Sequence, residues 1–114
     1  MHYLDNAATT RPSEAAVAAL TRAATVCYGN PSSLHALGFE AERELIAARQ
    51  SVATALGTDP ARITFTGSGT EATNIALQGL ADRRRGKKLI TTDAEHPAVL
   101  ETLRAVAQRD GHGV

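Results

Sequence analysis

The residues with the clearest chemical potential form a glycine-rich turn in the middle of the chain. Gly67-Ser68-Gly69-Thr70-Glu71 follows a short apolar stretch and precedes a helical pattern. At such a junction the unpaired backbone N–H groups and the positive end of the helix dipole point the same way, so anions bind well there. The turn therefore predicts a phosphate-ester site at Gly69 and Thr70, with the Thr70 hydroxyl as an additional donor.

A histidine follows at the next strand end of the predicted fold. His96 lies directly before Pro97, at the carboxyl end of the second predicted strand. In open α/β sheets ligands bind outside the carboxyl ends of the strands, so the glycine-rich turn and His96 should face one crevice. An imidazole there could stack on an aromatic ligand and move protons near neutral pH. A hydrogen-bonded structural histidine is the alternative.

The hydrophobic periodicity predicts the elements that position these residues. One long apolar stripe starts at Leu34 and stops at Gly57, and the serines of the preceding turn, residues 32–33, could cap its helix. Pro97 and Gly111 mark the start and stop of the last helix. Together the patterns predict helices over 14–25, 34–56, 70–84 and 97–110, and strands over 62–66 and 89–92.

The order of the predicted elements indicates the fold class. Strand, helix, strand and helix in succession imply parallel pairing with right-handed crossovers, hence an α/β fold. Parallel sheets are nearly always covered on both faces, and two short strands do not make a sheet that can bury both of its faces. The chain alone should therefore expose apolar surface. A small compact helical bundle is the alternative.

Composition restricts the function classes. The chain has 114 residues, 43% of them hydrophobic and 21% charged, which is normal for one soluble domain. The formal net charge is zero, so nothing global favours nucleic acid or an anionic membrane. A single cysteine, Cys27, excludes an internal disulfide framework and fits a reducing cytoplasm. The basic run at 83–88 is typical of a solvated helix end. On its cysteine usage, the chain is predicted to be cytoplasmic.

The glycine pattern also fits a second ligand class. Gly67, Gly69 and Ala72 match the dinucleotide fingerprint G-x-G-x-x-A, and Asp93 follows where a ribose-binding acid is expected. Two threonines make the strand at 62–66 more polar than usual for that motif, and some sixty residues precede it, whereas the motif usually opens its domain. A small dinucleotide-binding domain is therefore the weaker alternative.

Four successive segments carry a family resemblance that covers the chain from end to end. Residues 3–10, 28–35, 65–74 and 95–99 resemble, in order and spacing, four signatures of the cysteine desulfurases, which are pyridoxal-phosphate enzymes of the class V aminotransferase group. The resemblance implies the N-terminal part of the large domain of a fold-type I enzyme, with helices plus the first parallel strands of a larger sheet. Residues 1–12 would form an active-site segment, and residues 13–114 part of the cofactor-binding domain.

The resemblance also implies roles for individual residues. The turn matching Gly69 and Thr70 binds the cofactor phosphate, and the catalytic histidine matching His96 stacks on the pyridine ring. No metal is implied. The residues implied on the substrate side are Asn6, Ala7, Ala8, Thr9 and His35, the last also near the dimer interface. The family commonly has Ser-Gly-Gly or Ser-Gly-Ala before Thr-Glu, where this chain has Gly67-Ser68-Gly69; two small residues are kept, so phosphate binding should survive.

The implied reaction removes sulfur from L-cysteine, leaves L-alanine and passes a persulfide to acceptor proteins, in a homodimer. It needs a lysine that holds pyridoxal 5'-phosphate as a Schiff base and a nucleophilic cysteine thiolate. The resemblance implies that both lie beyond the equivalent of Val114 in the family. Neither Lys87 nor Lys88 is at the Schiff-base position, and Cys27 is predicted to face the core.

The chain is therefore expected to lack a covalently held cofactor and to be inactive alone. The alternatives are one half of a split enzyme, completed by another chain, and a non-catalytic interaction module that keeps the dimerisation surface of its parent.

Overall fold

The computed structural model describes residues 2–83 and 88–111. Its α-helices are α1 (Glu14–Thr25), α2 (Ala36–Leu56), α3 (Gly69–Asp82) and α4 (Pro97–Asp110), and a short 3₁₀ helix (Pro60–Arg62) follows α2. The chain divides after Ile63 into two compact units. We call residues 1–63, with α1, α2 and the 3₁₀ helix, unit 1, and residues 64–114, with α3 and α4, unit 2.

Local signals in the sequence predicted most helix ends correctly. The Ser13 hydroxyl accepts a hydrogen bond from the Ala16 N–H and caps α1, which spans the predicted residues. Gly57 ends α2 in the left-handed conformation, with φ of 64°. Pro97 is the first residue of α4, and Gly111 ends that helix with φ of 67°. These ends are confirmed. Each depends on the backbone preference of one residue or on one hydrogen bond to the next turn.

The predicted start of α2 is wrong by two residues. The helix begins at Ala36, and its cap is His35, whose Nδ1 accepts a hydrogen bond from the Gly38 N–H at 3.4 Å. A capping side chain must belong to the residue just before the first helical one, so residues 32–33 are too early to cap this helix. Leu34, predicted to open the apolar stripe, lies outside the helix and is fully exposed.

Two glycines let the turn before α2 lie directly against the helix. A Cβ atom on Gly29 would overlap the carbonyl oxygen of Leu37, and one on Gly38 would overlap that of Ser33. Gly38 is buried. The close approach of backbone to backbone therefore requires glycine at both positions.

Helices α1 and α2 face each other across a cavity of about 420 Å³ lined largely by alanines and other small side chains. An ion pair between Arg22 and Glu44, 3.0 Å apart, joins the two helices. Cys27 is half-buried at this cavity, and its Sγ accepts a hydrogen bond from the Arg22 guanidinium at 2.8 Å. The thiol is thus part of the wall between α1 and α2.

In unit 2, α3 and α4 pack side by side and run in the same direction. Ala81, Leu103 and Val106 are buried. Asp82 in the last turn of α3 pairs with Arg109 in the last turn of α4 at 2.6 Å, and the first turns of both helices line one pocket. Two successive parallel helices need a connection that runs back along them, as the crossovers of an α/β fold do.

The returning segment has the exposure pattern of a strand but is not in a sheet. Along residues 88–92 exposure alternates, with Leu89 and Thr91 half-buried and Ile90 92% exposed. Such alternation is typical of a strand with one covered face. Together with α3 and α4 the segment lines a cavity of about 730 Å³.

The strands predicted over 62–66 and 89–92 are not formed in the described residues. A strand is stable only with backbone hydrogen bonds to a neighbouring strand, and two short segments provide too few of them. The sheet of the predicted α/β fold is therefore not confirmed.

The helix predicted over 70–84 runs instead from Gly69 to Asp82. Most of the basic run at 83–88 lies outside the described residues, and its predicted role as a solvated helix end stays a prediction.

Candidate functional site

The start of α3 uses two side chains to organise the glycine-rich turn. The Ser68 hydroxyl accepts a hydrogen bond from the Glu71 N–H at 3.2 Å. The Glu71 carboxylate accepts one from the Gly67 N–H at 2.7 Å. The N–H groups of Gly69 and Thr70 come next and, as first-turn amides, have no acceptor within the helix. These two amides are therefore the donors that the turn offers to a ligand.

This donor set fits a phosphate monoester. The Cα of Gly69 is not crowded, since an added Cβ atom would meet nothing within 4 Å. Two backbone N–H groups and the Thr70 hydroxyl lie at the positive end of α3, where a negatively charged group is stabilised by about 0.3–1 kcal/mol. The Glu71 carboxylate opposes an anion by its charge, but its hydrogen bond directs it to Gly67.

His96 is the residue that caps α4. Its Nδ1 accepts a hydrogen bond from the Ala98 N–H at 3.1 Å, and Pro97 takes the first helical position. The cap ties the imidazole ring to the first turn of the helix, so the helix itself determines how the ring is oriented.

The first turns of α3 and α4 meet at one open pocket of about 420 Å³. The structure thus brings Thr70 and His96 together, as expected for a phosphate turn and a histidine that share a crevice. Gly69 adjoins the pocket through Thr70. The side chains and residues that line it are Thr70, Asn74, His96, Pro97, Ala98, Glu101, Thr102 and Ala105.

Sequence reasoning missed Asn74. It is half-buried, lines the same pocket, and donates from its side-chain amide to the carbonyl oxygen of Thr70 at 2.9 Å. The signal that could have found it is its spacing, because a residue four positions after Thr70 lies on the same helix face one turn later.

Two residues of α4 form another part of the pocket wall. Thr102 is buried, and its hydroxyl donates to the Ala98 carbonyl oxygen at 2.6 Å. Glu101 is exposed and pairs with Arg104 one turn later. The hydroxyl of Thr102 is thus held by its own helix. Among the described residues that line this pocket, Glu101 carries the carboxylate.

The predicted substrate-side residues 6–9 form a closed turn in unit 1. The Ala8 N–H donates to the Asp5 carbonyl oxygen at 3.1 Å. The Tyr3 hydroxyl reaches the carbonyl oxygens of Asp5 at 2.8 Å and Thr9 at 3.2 Å. The segment is thus locally ordered by its own backbone, and its position beside a substrate stays a prediction.

His35 also belongs to unit 1, where it caps α2 and lines a pocket of about 530 Å³ with residues 31–34 and the first turns of that helix. Thr70 and His96 belong to unit 2. The predicted active-site role of His35 is untested.

Further findings bear on the other ligand classes. Asp93 lies on the turn before α4 and is not one of the side chains lining the pocket of Thr70 and His96. Within residues 2–83 and 88–111, no three His, Cys, Asp or Glu side chains are grouped closely enough to hold a metal ion. Over the same residues, no helix has the length and apolar character needed to cross a bilayer.

Comparison with known proteins decides the family. A sequence model of the family Aminotransferase class-V matches residues 2–114. The chain belongs to the class-V aminotransferases. Among its relatives in this family, "Putative cysteine desulfurase NifS" of Halalkalibacterium halodurans is 46% identical over 91% of this chain and 28% of its own length. "Cysteine desulfurase IscS" of Neisseria meningitidis is 41% identical over 98% of this chain and 28% of its own length. The resemblance to cysteine desulfurases is confirmed.

A solved structure shows the same likeness. A "NIFS-like protein" superposes with a TM-score of 0.84 and 38% identity, over 96% of this chain and 30% of that one. The class-V chain therefore shares the fold of the matching part of that protein. It spans less than a third of the length of these relatives.

Proposed function

We propose that this chain is the N-terminal, cofactor-binding part of a pyridoxal-phosphate-dependent cysteine desulfurase, within a fold-type I large domain. The observation that carries the proposal is the meeting of Thr70 and His96 at one pocket, at the first turns of two parallel helices. Its support is the similarity to relatives named cysteine desulfurase.

The residues of the pocket fit the two ends of the cofactor. The amides of Gly69 and Thr70 and the Thr70 hydroxyl would hold the phosphate, and the His96 ring would cover the pyridine ring. When bound, pyridoxal phosphate supplies the electron sink for breaking the carbon–sulfur bond of L-cysteine. The chain's own contribution is binding and orientation. The glycine-rich turn would hold the phosphate end of the cofactor, and the cap on α4 orients the imidazole.

The remaining chemistry is assigned to groups outside residues 1–114. Cys27 is held between α1 and α2 by Arg22, in unit 1, and we do not assign it the nucleophilic role. The chain alone is proposed to be inactive, and the covalent lysine and the sulfur-carrying cysteine would come from the rest of a longer polypeptide or from a complementing chain. The whole enzyme would be a cytoplasmic homodimer that passes sulfur to acceptor proteins.

Pyridoxine 5'-phosphate tests the site directly, because it has no aldehyde and cannot react with Lys87 or Lys88. Titrated into the isotope-labelled chain, it should shift the amide resonances of Gly69 and Thr70 and the ring resonances of His96. Pyridoxine without phosphate should leave the two amides unchanged. Shifts confined to other helices would contradict the proposal.

Two matched variants distinguish the contribution of the Thr70 hydroxyl to binding from an effect on the fold of α3. Thr70→Val removes one hydrogen bond to a charged group and should weaken binding of pyridoxine 5'-phosphate roughly tenfold. Thr73→Val changes the next threonine of α3, which does not line the pocket, and should bind as the unmodified chain does. Equal affinity for all three proteins would rule out Thr70 as a phosphate ligand.

The exposed apolar surface of unit 2 favours a second candidate function, that of an interaction module. Leu80 is 62% and Ile90 92% exposed beside the cavity of about 730 Å³. Exposed apolar side chains grouped around a groove often mark a protein-binding surface. Binding to a full-length desulfurase, together with no response to pyridoxine 5'-phosphate, would favour this function over the first.

A further inference from the structure

We infer that the first turn of α4 fixes the tautomer of His96, with the ring proton on Nε2. The Nδ1 atom accepts the Ala98 N–H at 3.1 Å, so it must present a lone pair. A neutral imidazole has one N–H and one acceptor nitrogen, which leaves the proton on Nε2. The tautomer follows from the cap alone, whereas its chemical consequence rests on the function proposed above.

The geometry of the helix end explains why this tautomer is held. Ala98 is the second residue of α4, so its N–H has no acceptor within the helix. Moving the proton to Nδ1 would set two donors against each other and leave that amide unpaired. Pro97 contributes no N–H of its own at the first position, so the Ala98 amide is the first donor that the helix presents to the ring.

The consequence is that His96 offers a hydrogen-bond donor to the pocket. Nε2 lies across the ring from Nδ1, and His96 is one of the residues that line the pocket of Thr70. While the cap is intact, Nε2–H can donate to a ligand atom but cannot accept a proton from one. The Ala98 amide is thus a positioning group that sets His96 as a donor instead of a base at Nε2.

Long-range ¹H–¹⁵N correlation spectra of the ligand-free chain, at a pH where imidazoles are neutral, measure the tautomer of each histidine. For His96 we expect the Nδ1 resonance far downfield, as for an acceptor nitrogen, and the Nε2 resonance upfield, as for N–H. His2, on the exposed N-terminal segment, should show the averaged shifts of an uncapped ring. Averaged or reversed shifts for His96 would overturn the inference.

A pair of variants identifies the group responsible. Ala98→Pro removes the N–H at a first-turn position, where proline costs no intrahelical hydrogen bond, and should move the His96 shifts towards those of His2. Ala98→Ser keeps the N–H and should preserve the shifts of the unmodified chain. The resonances of Leu103 and Val106 report whether α4 has formed, and if Ala98→Pro does not fold, the unmodified chain decides alone.

The two hypotheses fail separately. Unchanged His96 shifts in a folded Ala98→Pro variant would show that another group selects the tautomer. If pyridoxine 5'-phosphate does not bind while His96 has its proton on Nε2, the proposed function fails and the tautomer stands. If pyridoxine 5'-phosphate binds while His96 shows averaged shifts, the tautomer inference fails and the proposed function stands.

Discussion

Two helices of this chain begin with a capping histidine, and their surroundings differ. His35 caps α2 through the Gly38 N–H at 3.4 Å, and His96 caps α4 through the Ala98 N–H at 3.1 Å. The start of α2 is pressed against the preceding turn by two glycines. The start of α4 opens onto the pocket that it shares with the first turn of α3.

The difference teaches that a histidine cap by itself does not determine what surrounds the imidazole. In α2 close backbone packing holds the helix start, and the long hydrogen bond of His35 adds little to it. In α4 the side-chain cap and Pro97 are the local devices that hold the first turn. The same residue type in the same local position thus caps a closely packed helix start in one unit and lies beside Thr70 at a pocket in the other.

The largest expected effect tests the packing of the α2 start. Gly38→Ala places a methyl group on the backbone of the preceding turn and should destabilise unit 1 by about 1–3 kcal/mol, as overpacking does. Urea unfolding measures the loss of stability, and hydrogen exchange of the α2 amides shows that the loss lies in unit 1.

Gly79→Ala is the matched control, because the same change inside α3 meets no atom within 4 Å. It should stabilise its helix by about 0.5–1 kcal/mol. A neutral Gly38→Ala would mean that the turn and α2 are not in close contact.

The second prediction compares the two caps directly. His96→Ala should lower the stability of α4 by about 0.5–2 kcal/mol, the usual loss for a helix cap, and His35→Ala should cost α2 less because its hydrogen bond is longer. Hydrogen exchange of the amides that follow the first turn of each helix, compared between each variant and the unmodified chain, measures both losses.

The variant His96→Asn distinguishes the contribution of the helix cap from that of the imidazole ring. His96→Asn should restore the stability of α4, since asparagine is a strong cap, but should not restore the response to pyridoxine 5'-phosphate. Recovery of both by asparagine would reduce His96 to a structural residue.

The smallest effects are expected for the ion pairs that join helices in each unit. Carboxylates of Asp110 and Asp82 raise the pKa of Arg109, so its guanidinium stays charged over the whole working pH range. The pair is largely exposed, and water and salt screen it, so Asp82→Asn should leave the unfolding midpoint nearly unchanged. Glu44→Gln, in the exposed pair with Arg22, should behave alike. A large and salt-sensitive loss of stability in either variant would show that its ion pair stabilises the unit in which it lies.

Much of the helix pattern could be predicted from the sequence because it depends on neighbouring residues. Ser13, Gly57, Pro97 and Gly111 act through their own backbone preferences or through one hydrogen bond to the next turn. The donor amides of the glycine-rich turn could be predicted for the same reason, since first-turn amides of a helix lack acceptors wherever the helix lies.

The cap of α2 and the role of Asn74 could not be read as easily. Histidine is not among the common capping residues, and its selection over the serines at 32–33 depends on how the turn packs on Gly29 and Gly38. Asn74 became a pocket residue only once α4 lay beside α3.

The sequence by itself determined most helix ends and the family, and it predicted which turn can hold an anion, because these depend on residue type and spacing along the chain. Only the tertiary structure decided that Thr70 and His96 share one pocket, since parallel packing of α3 and α4 brings together residues 26 positions apart. It also decided that the segment at 88–92 is left outside any sheet, because a strand needs hydrogen bonds from a neighbour that the described residues do not supply.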